Sequence, residues 1–195
     1  MTDRELSEYR ALRATIRERG SLRITLFVVT MVAWSAATIA TAALAGLPVA
    51  TLLPLFLLGA GLESLLALHT GVERVGRYLQ VFYEEEGSRG WERLSMAYGR
   101  TFPSGGINPI FSPYFAMATL LNFVPVLLAE PVRIELAVVG AVHVLFLVRI
   151  AIAHLSTGRQ RGVDLARFER LRAGGAGGAG GPDGAGGPGG AGPAG

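Results

Sequence analysis

Between Arg23 and Glu63 the chain runs for 39 residues without a charged side chain. A soluble fold rarely sustains such a run. A bilayer, whose hydrocarbon is crossed by roughly 20 apolar residues, requires one. The run predicts two transmembrane helices and a tight turn, with Gly46-Leu47-Pro48 as the turn. Span one covers about 24–45, and its Ala36, Ala37, Ala40 and Ala43 suit close helix packing. Span two begins near Pro48 or Val49, where proline is tolerated in a first turn.

A second apolar block, from about Ser112 to Ala153, is interrupted only by Glu130, Arg133, Glu135 and Arg149. It reads as a second hairpin. Span three lies at about 112–129, with Pro125 predicting a kink, and AEPVRIE (129–135) is the turn. Span four runs from about Val132 or Leu136 to His154. The fold class expected is all-α: a polytopic membrane protein with four transmembrane helices in two hairpins, plus cytoplasmic amphipathic helices. The residues before Ile24 mix Arg with Asp and Glu. The run after them is longer than the ~7–15 apolar residues of a secretory signal, so it reads as spans.

Arginine sets the orientation. All 18 basic residues are Arg: six in 1–23, five in 63–112, five in 155–173, Arg149 within span four, and one, Arg133, in the two turns on the other side. The positive-inside rule puts both termini and the central segment in the cytoplasm. The sequence pI near 9.8 belongs to these flanks, so nucleic acid is not expected as a partner.

The expected organisation is a cytoplasmic amphipathic helix at 1–23, transmembrane hairpin 1 at 24–69 and a cytoplasmic helical segment and loop at 70–111. Transmembrane hairpin 2 follows at 112–154, then a basic cytoplasmic helix at 155–172 and a disordered Gly-rich tail at 173–195. In the first helix Thr2 and Glu5 form a capping box, and Leu6, Tyr9, Leu12 and Ile16 form a narrow apolar stripe. That stripe suits either an anionic lipid surface or a coiled-coil seam between protomers.

Residues 63–86, ESLLALHTGVERVGRYLQVFYEEE, pass from apolar span to charged helix. Val72, Val75, Leu79, Phe82 and Tyr83 fall on one side. Glu73, Arg77, Gln80 and Glu84 fall on the other, spaced for i,i+3 and i,i+4 pairing. Gly87 ends the helix. WERLSMAYG (91–99) forms another, with Trp91, Leu94 and Tyr98 on one face, and TFPSGGINPIFSP (101–113) is a loop. Tyr9, Leu12, Ile16, Val72, Val75, Leu79, Phe82 and Trp91 are the candidate cytoplasmic interface.

Span length singles out the polar candidates. Only 14 uncharged residues separate Val49 from Leu62 inclusive, and 13 lie between Glu135 and Arg149. To cross, both spans must include a charge. Glu63 and Arg149 then sit at matched depth, either paired or snorkelling separately to the interface. Asn122 and His143 match in depth near the midplane and are candidates for a hydrogen bond or, alternatively, an ion path.

The chain has no Cys, which excludes disulfides and thiolate zinc sites. His69 and Glu73 lack a second His at ligand spacing. No catalytic residue, cofactor site or metal site is expected, and the chain does not read as an enzyme.

EYRALRATIRER (8–19), then a span hairpin, then VERVGRYLQVFYE (72–84) with Trp91-Glu92, resembles a loose group of small bacterial integral membrane proteins of uncharacterised function. The likeness covers roughly residues 5–100. It rests on the Tyr9/Leu12/Ile16/Arg19 pattern and the Gly-Arg-Tyr run, and it brings no activity with it. The function expected is that of a structural or interaction protein. It would form homo-oligomers in the lipid bilayer and present a cytoplasmic helical layer to a protein partner. The alternative is a subunit of an oligomeric channel or transporter using Glu63, Arg149, Asn122 and His143.

Overall fold

The computed structural model describes residues 1–42, 47–84, 90–101, 110–129 and 131–178. Five α-helices occupy most of them: α1 (Asp3–Ala42), α2 (Leu52–Phe82), α3 (Trp91–Thr101), α4 (Ser112–Leu128) and α5 (Arg133–Gly178). A short 3-10 turn at Pro48–Thr51 leads into α2. Ala43, Gly46, Gly87, the centre of the 101–113 loop, Glu130 and the tail beyond Gly178 lie outside the described residues.

Three helices, α1, α2 and α5, are long and apolar enough to cross a membrane. At 1.5 Å per residue, the 17 residues of α4 reach about 26 Å. It is apolar but shorter.

The expected boundaries at the charge transitions are absent. The expected cytoplasmic helix at 1–23 and span one are a single 40-residue helix. Span four, the expected basic helix and the first residues of the expected disordered tail are a single 46-residue helix reaching Gly178. The physical reason is local. Backbone hydrogen bonding does not register a change of solvent, and neither Gly20 nor Gly162 breaks a helix by itself. Likewise α2 passes through Gly71 and Gly76 without interruption.

Pairings fix the topology. Thr30 meets Gly61, Arg23 reaches His69, and Tyr78 bonds Glu8, so α1 runs antiparallel to α2. Arg149 meets Glu63 and Arg161 meets Glu73, so α5 runs parallel to α2. Asn122 meets His143 and Ser112 meets His154, so α4 is antiparallel to α5. The central helix is α2. Its Leu55, Leu58, Leu62 and Leu65 form the apolar core with Phe115 and Ala118 of α4 and Ile150 of α5.

Two details tighten this half. At Gly61 a Cβ would stand 2.9 Å from Thr30 Cβ, so only glycine lets α1 approach this closely. Phe111, just before α4, has a left-handed backbone (φ 53), which costs a non-glycine residue about 1 kcal/mol. Its ring stacks on Phe27 with centroids 4.3 Å apart, and that contact offsets the strain.

Candidate functional site

The charged half of the bundle is built on one stripe of α2: His69, Glu73, Arg77, Gln80 and Glu84 recur at steps of three and four. From α2 alone this is the face for water. The structure buries that face as well. Arg77, Gln80 and Glu84 are buried, while Phe82 from the expected docking face is exposed. Three other segments converge on the stripe and supply opposite charges.

Glu92 of α3 is the centre. Its carboxylate accepts from Arg13 Nη1 at 2.7 Å and stands 3.7 Å from Arg77 Nη2. Arg77 also lies 3.7 Å from Glu73 and donates to Gln80 Oε1 at 2.8 Å. Glu73 in turn pairs with Arg161 of α5 at 2.9 Å. The charges alternate from α1 through α3 and α2 to α5, so each Arg faces carboxylate. The side chains of Arg77 and Glu92 are only 6% and 10% exposed, so removing either partner leaves a buried charge uncompensated. Gly76 makes room: a Cβ there would lie 2.8 Å from Glu92 Oε2.

Glu84 ties α3 to the end of α2. Its two oxygens accept from the backbone N–H of Glu92 (2.9 Å) and Arg93 (3.0 Å), two donors that a helix start leaves unsatisfied. The negative charge also suits that helix end. α3 therefore folds back along α2 with its charged side inward. Trp91 (67% exposed), Leu94 and Tyr98 point outward.

At the far end an aromatic cluster closes the layer. Tyr9 packs on Tyr83 with centroids 5.7 Å apart, and Tyr78 packs on Phe82 (4.8 Å) and Phe168 (5.8 Å). Tyr78 donates to Glu8 at 3.1 Å. The Tyr83 phenol is pushed up to about 12, first by burial and then by the neighbouring Glu8 carboxylate. At the start of α1 the capping box forms as expected: Thr2 N–H donates to Glu5 at 2.6 Å and Glu5 N–H to Thr2 Oγ1 at 3.3 Å. The Thr2 amide is the main cause holding the Glu5 carboxyl below its ordinary value.

The two pairs expected in the apolar half also meet. Glu63 and Arg149 form a two-pronged contact, Nε–Oε1 and Nη2–Oε2 both at 2.8 Å, with side chains 55% and 41% exposed. Asn122 Nδ2 donates to His143 Nε2 (3.1 Å) and to the Thr51 carbonyl (2.8 Å). His143 Nδ1 lies 2.8 Å from the Val139 carbonyl, which can only accept, so the imidazole proton is on Nδ1.

Of the eight candidate interface residues, Phe82 and Trp91 are exposed. Tyr9, Leu12, Ile16, Val72 and Val75 are half-buried within the chain. Leu79 is fully buried and unavailable to a partner, because α2 turns that side into the bundle. The α1 stripe therefore faces this chain's own helices to a large degree, as the Tyr9–Tyr83 contact shows.

A cavity of about 320 Å³ opens between α2 and α5 where the two halves meet. It is lined by His69, Thr70, Glu73, Arg149, Arg161 and Asp164, among others. Its charges are matched, Glu73 by Arg161 and Asp164 by Arg74 at 4.0 Å. His69 Nδ1 faces Arg23 Nη1 at 3.0 Å and accepts from it. Among the described residues no three His, Asp or Glu side chains are grouped to hold a metal ion.

The residues that sequence reasoning missed are Arg13, Glu92, Arg161 and Asp164. The available signal was the pair of mid-helix glycines, Gly71 and Gly76. Cβ atoms there would lie 2.7 Å from Arg19 Nη1 and 2.8 Å from Glu92 Oε2. No family model, curated protein or solved structure matches the chain.

Proposed function

We propose that the chain is a four-span inner-membrane protein, both termini cytoplasmic, that acts as a structural and interaction protein. It would assemble with copies of itself in the bilayer and hold a rigid helical layer at the cytoplasmic surface. The observation that carries this reading is the alternating chain of charges Arg13–Glu92–Arg77–Glu73–Arg161, which locks α1, α2, α3 and α5 together outside the apolar half. Such a network orients surfaces, and the surface it orients is the outward face of α3 with Trp91 and Leu94.

α4 serves as the fourth span. Its 17 residues reach about 26 Å, close to the hydrocarbon thickness. The distribution of Arg supports the orientation. The polar pairs favour structure over transport. Both ring nitrogens of His143 are engaged, and Glu63 and Arg149 are spent on each other.

The test reconstitutes the full chain in lipid nanodiscs and proteoliposomes. The reading expects a particle mass of two or more copies and no ion flux above empty vesicles. A monomeric mass refutes the assembly. Flux that disappears with His143→Ala replaces this reading with that of a channel or transporter subunit.

A further inference from the structure

The central helix is covered unequally. On one side of α2, Leu55, Leu58, Leu62 and Leu65 are sealed by α4 and α5. On the other, Leu53, Phe56, Ala60, Glu63 and Ala67 form a continuous strip that is exposed among the described residues. The Glu63–Arg149 pair sits on this open side, with 55% and 41% of the two side chains exposed.

Depth makes that exposure consequential. Arg149 lies sixteen residues beyond Arg133, the first residue of α5, or about 24 Å along the helix. Against hydrocarbon ~30 Å thick, the pair is about 6 Å short of the far edge. Resting on the four-span reading above, this leaves two charges half-open to acyl chains, which charged groups tolerate only when paired and shielded.

We propose that this face is the contact between two copies of the chain, related by a twofold axis along the membrane normal that passes between Glu63 and Arg149, with the Ala60–Ala67 strip beside it. The two copies are complementary in charge. A Glu–Arg pair whose members lie at one depth becomes self-complementary under such a rotation, because depth is preserved. Arg149 of a second copy comes opposite Glu63, and Glu63 of that copy opposite Arg149. Two half-exposed pairs become one closed ring of four alternating charges. Ala60, three residues before Glu63, and Ala67, four after it, allow the backbones to approach, as small residues do at transmembrane helix contacts. A shallow groove of about 210 Å³ between α1 and α2, lined by Leu57, Ala60, Gly61 and Ser64, adjoins the strip and receives side chains from the second copy.

The chain contains no cysteine, so single introduced thiols report self-proximity without background. Ala60→Cys and Ala67→Cys are oxidised, or bridged with a short bifunctional thiol reagent, in native-like membranes. Met117→Cys is the control. It is exposed on α4, five residues from Ser112, which bonds His154, itself five residues from Arg149, so it lies at the same depth on another side. The expected result is efficient dimer formation at 60 and 67 and at least tenfold less at 117.

Charge reversal supplies the second arm. In the Ala67→Cys background, Glu63→Arg alone and Arg149→Glu alone lose the cross-link. Differently tagged copies of the two, co-expressed, recover it as the mixed dimer only. Cross-linking at 60 and 67 no greater than at 117, or insensitive to charge reversal, overturns the proposal. If nanodisc particles nonetheless contain several copies, only this face is wrong and the assembly reading stands. If they contain one, both fall.

Discussion

Substituting Glu92 by Gln removes one negative charge from the middle of the network while keeping the side chain's shape. Arg13 then loses a carboxylate at 2.7 Å and Arg77 one at 3.7 Å. Deleting one member of a buried ion pair costs about 3–5 kcal/mol. Three features reduce that here. Arg77 retains Glu73 and Gln80, the Arg13 side chain is a quarter exposed, and the amide oxygen of Gln still accepts a hydrogen bond. The expected loss is about 2 kcal/mol, a roughly 30-fold increase in opening of α3.

An 11-residue helix is marginal in isolation, so its amide protection reports docking rather than intrinsic helicity. Hydrogen exchange of residues 91–101 in nanodiscs is therefore the assay. Arg77→Met is the comparison. It leaves Glu92 paired with Arg13 and Glu73 paired with Arg161, so it costs less, about 1 kcal/mol. Exchange in Glu92→Gln within twofold of the parent, or Arg77→Met as damaging as Glu92→Gln, would refute the account of Glu92 as the centre.

Gly61→Ala places a Cβ 2.5 Å from Thr30 Oγ1 and lowers stability by about 1–3 kcal/mol in detergent unfolding; Thr30→Ala in the same chain recovers part of the loss. Asn122→Ala removes the bonds to His143 and Thr51 and costs about 1–2 kcal/mol by the same measurement, given ~0.6 kcal/mol for an average interhelical bond in lipid. With Tyr83 near 12 against about 10 for a free phenol, its contribution to stability is complete below pH 10 and lost as pH rises through 12. The absorbance change assigned to Tyr83 by difference from Tyr83→Phe should be largely absent at pH 11, and full ionisation there would remove the burial argument.

The two polar pairs of the apolar half are legible in the sequence because span length is a severe constraint. Too few uncharged residues follow Val49 and Glu135 to cross, so Glu63 and Arg149 must come in at one level, and the structure joins them. The same depth argument matches Asn122 to His143. The charged half is not legible in that way. A helical wheel of α2 sees only α2, and on it Arg77 and Gln80 belong to water. What turns them inward is Glu92 and Arg161, and the bonds concerned, Arg13–Glu92 and Arg161–Glu73, join residues 79 and 88 apart in sequence. Local spacing carries no information about partners so distant. The continuity of the long helices is hidden for a related reason. Composition changes at Arg23 and His154, but no residue there stops a helix.

Continuity of α5 gives the molecule a lever arm. From Arg149 to Arg172, which donates to the Val81 carbonyl at 2.9 Å, the helix rises about 35 Å without a break. Helices respond to bilayer thickness by tilting. A rotation of about 5° at the level of Arg149 carries the Arg172 end sideways by about 3 Å. Because α2 runs alongside and the Arg161–Glu73 contact clamps the two together, they swing as one rod, and α3 rides on it. On the four-span reading proposed above, the position of the α3 face would follow the thickness of the membrane.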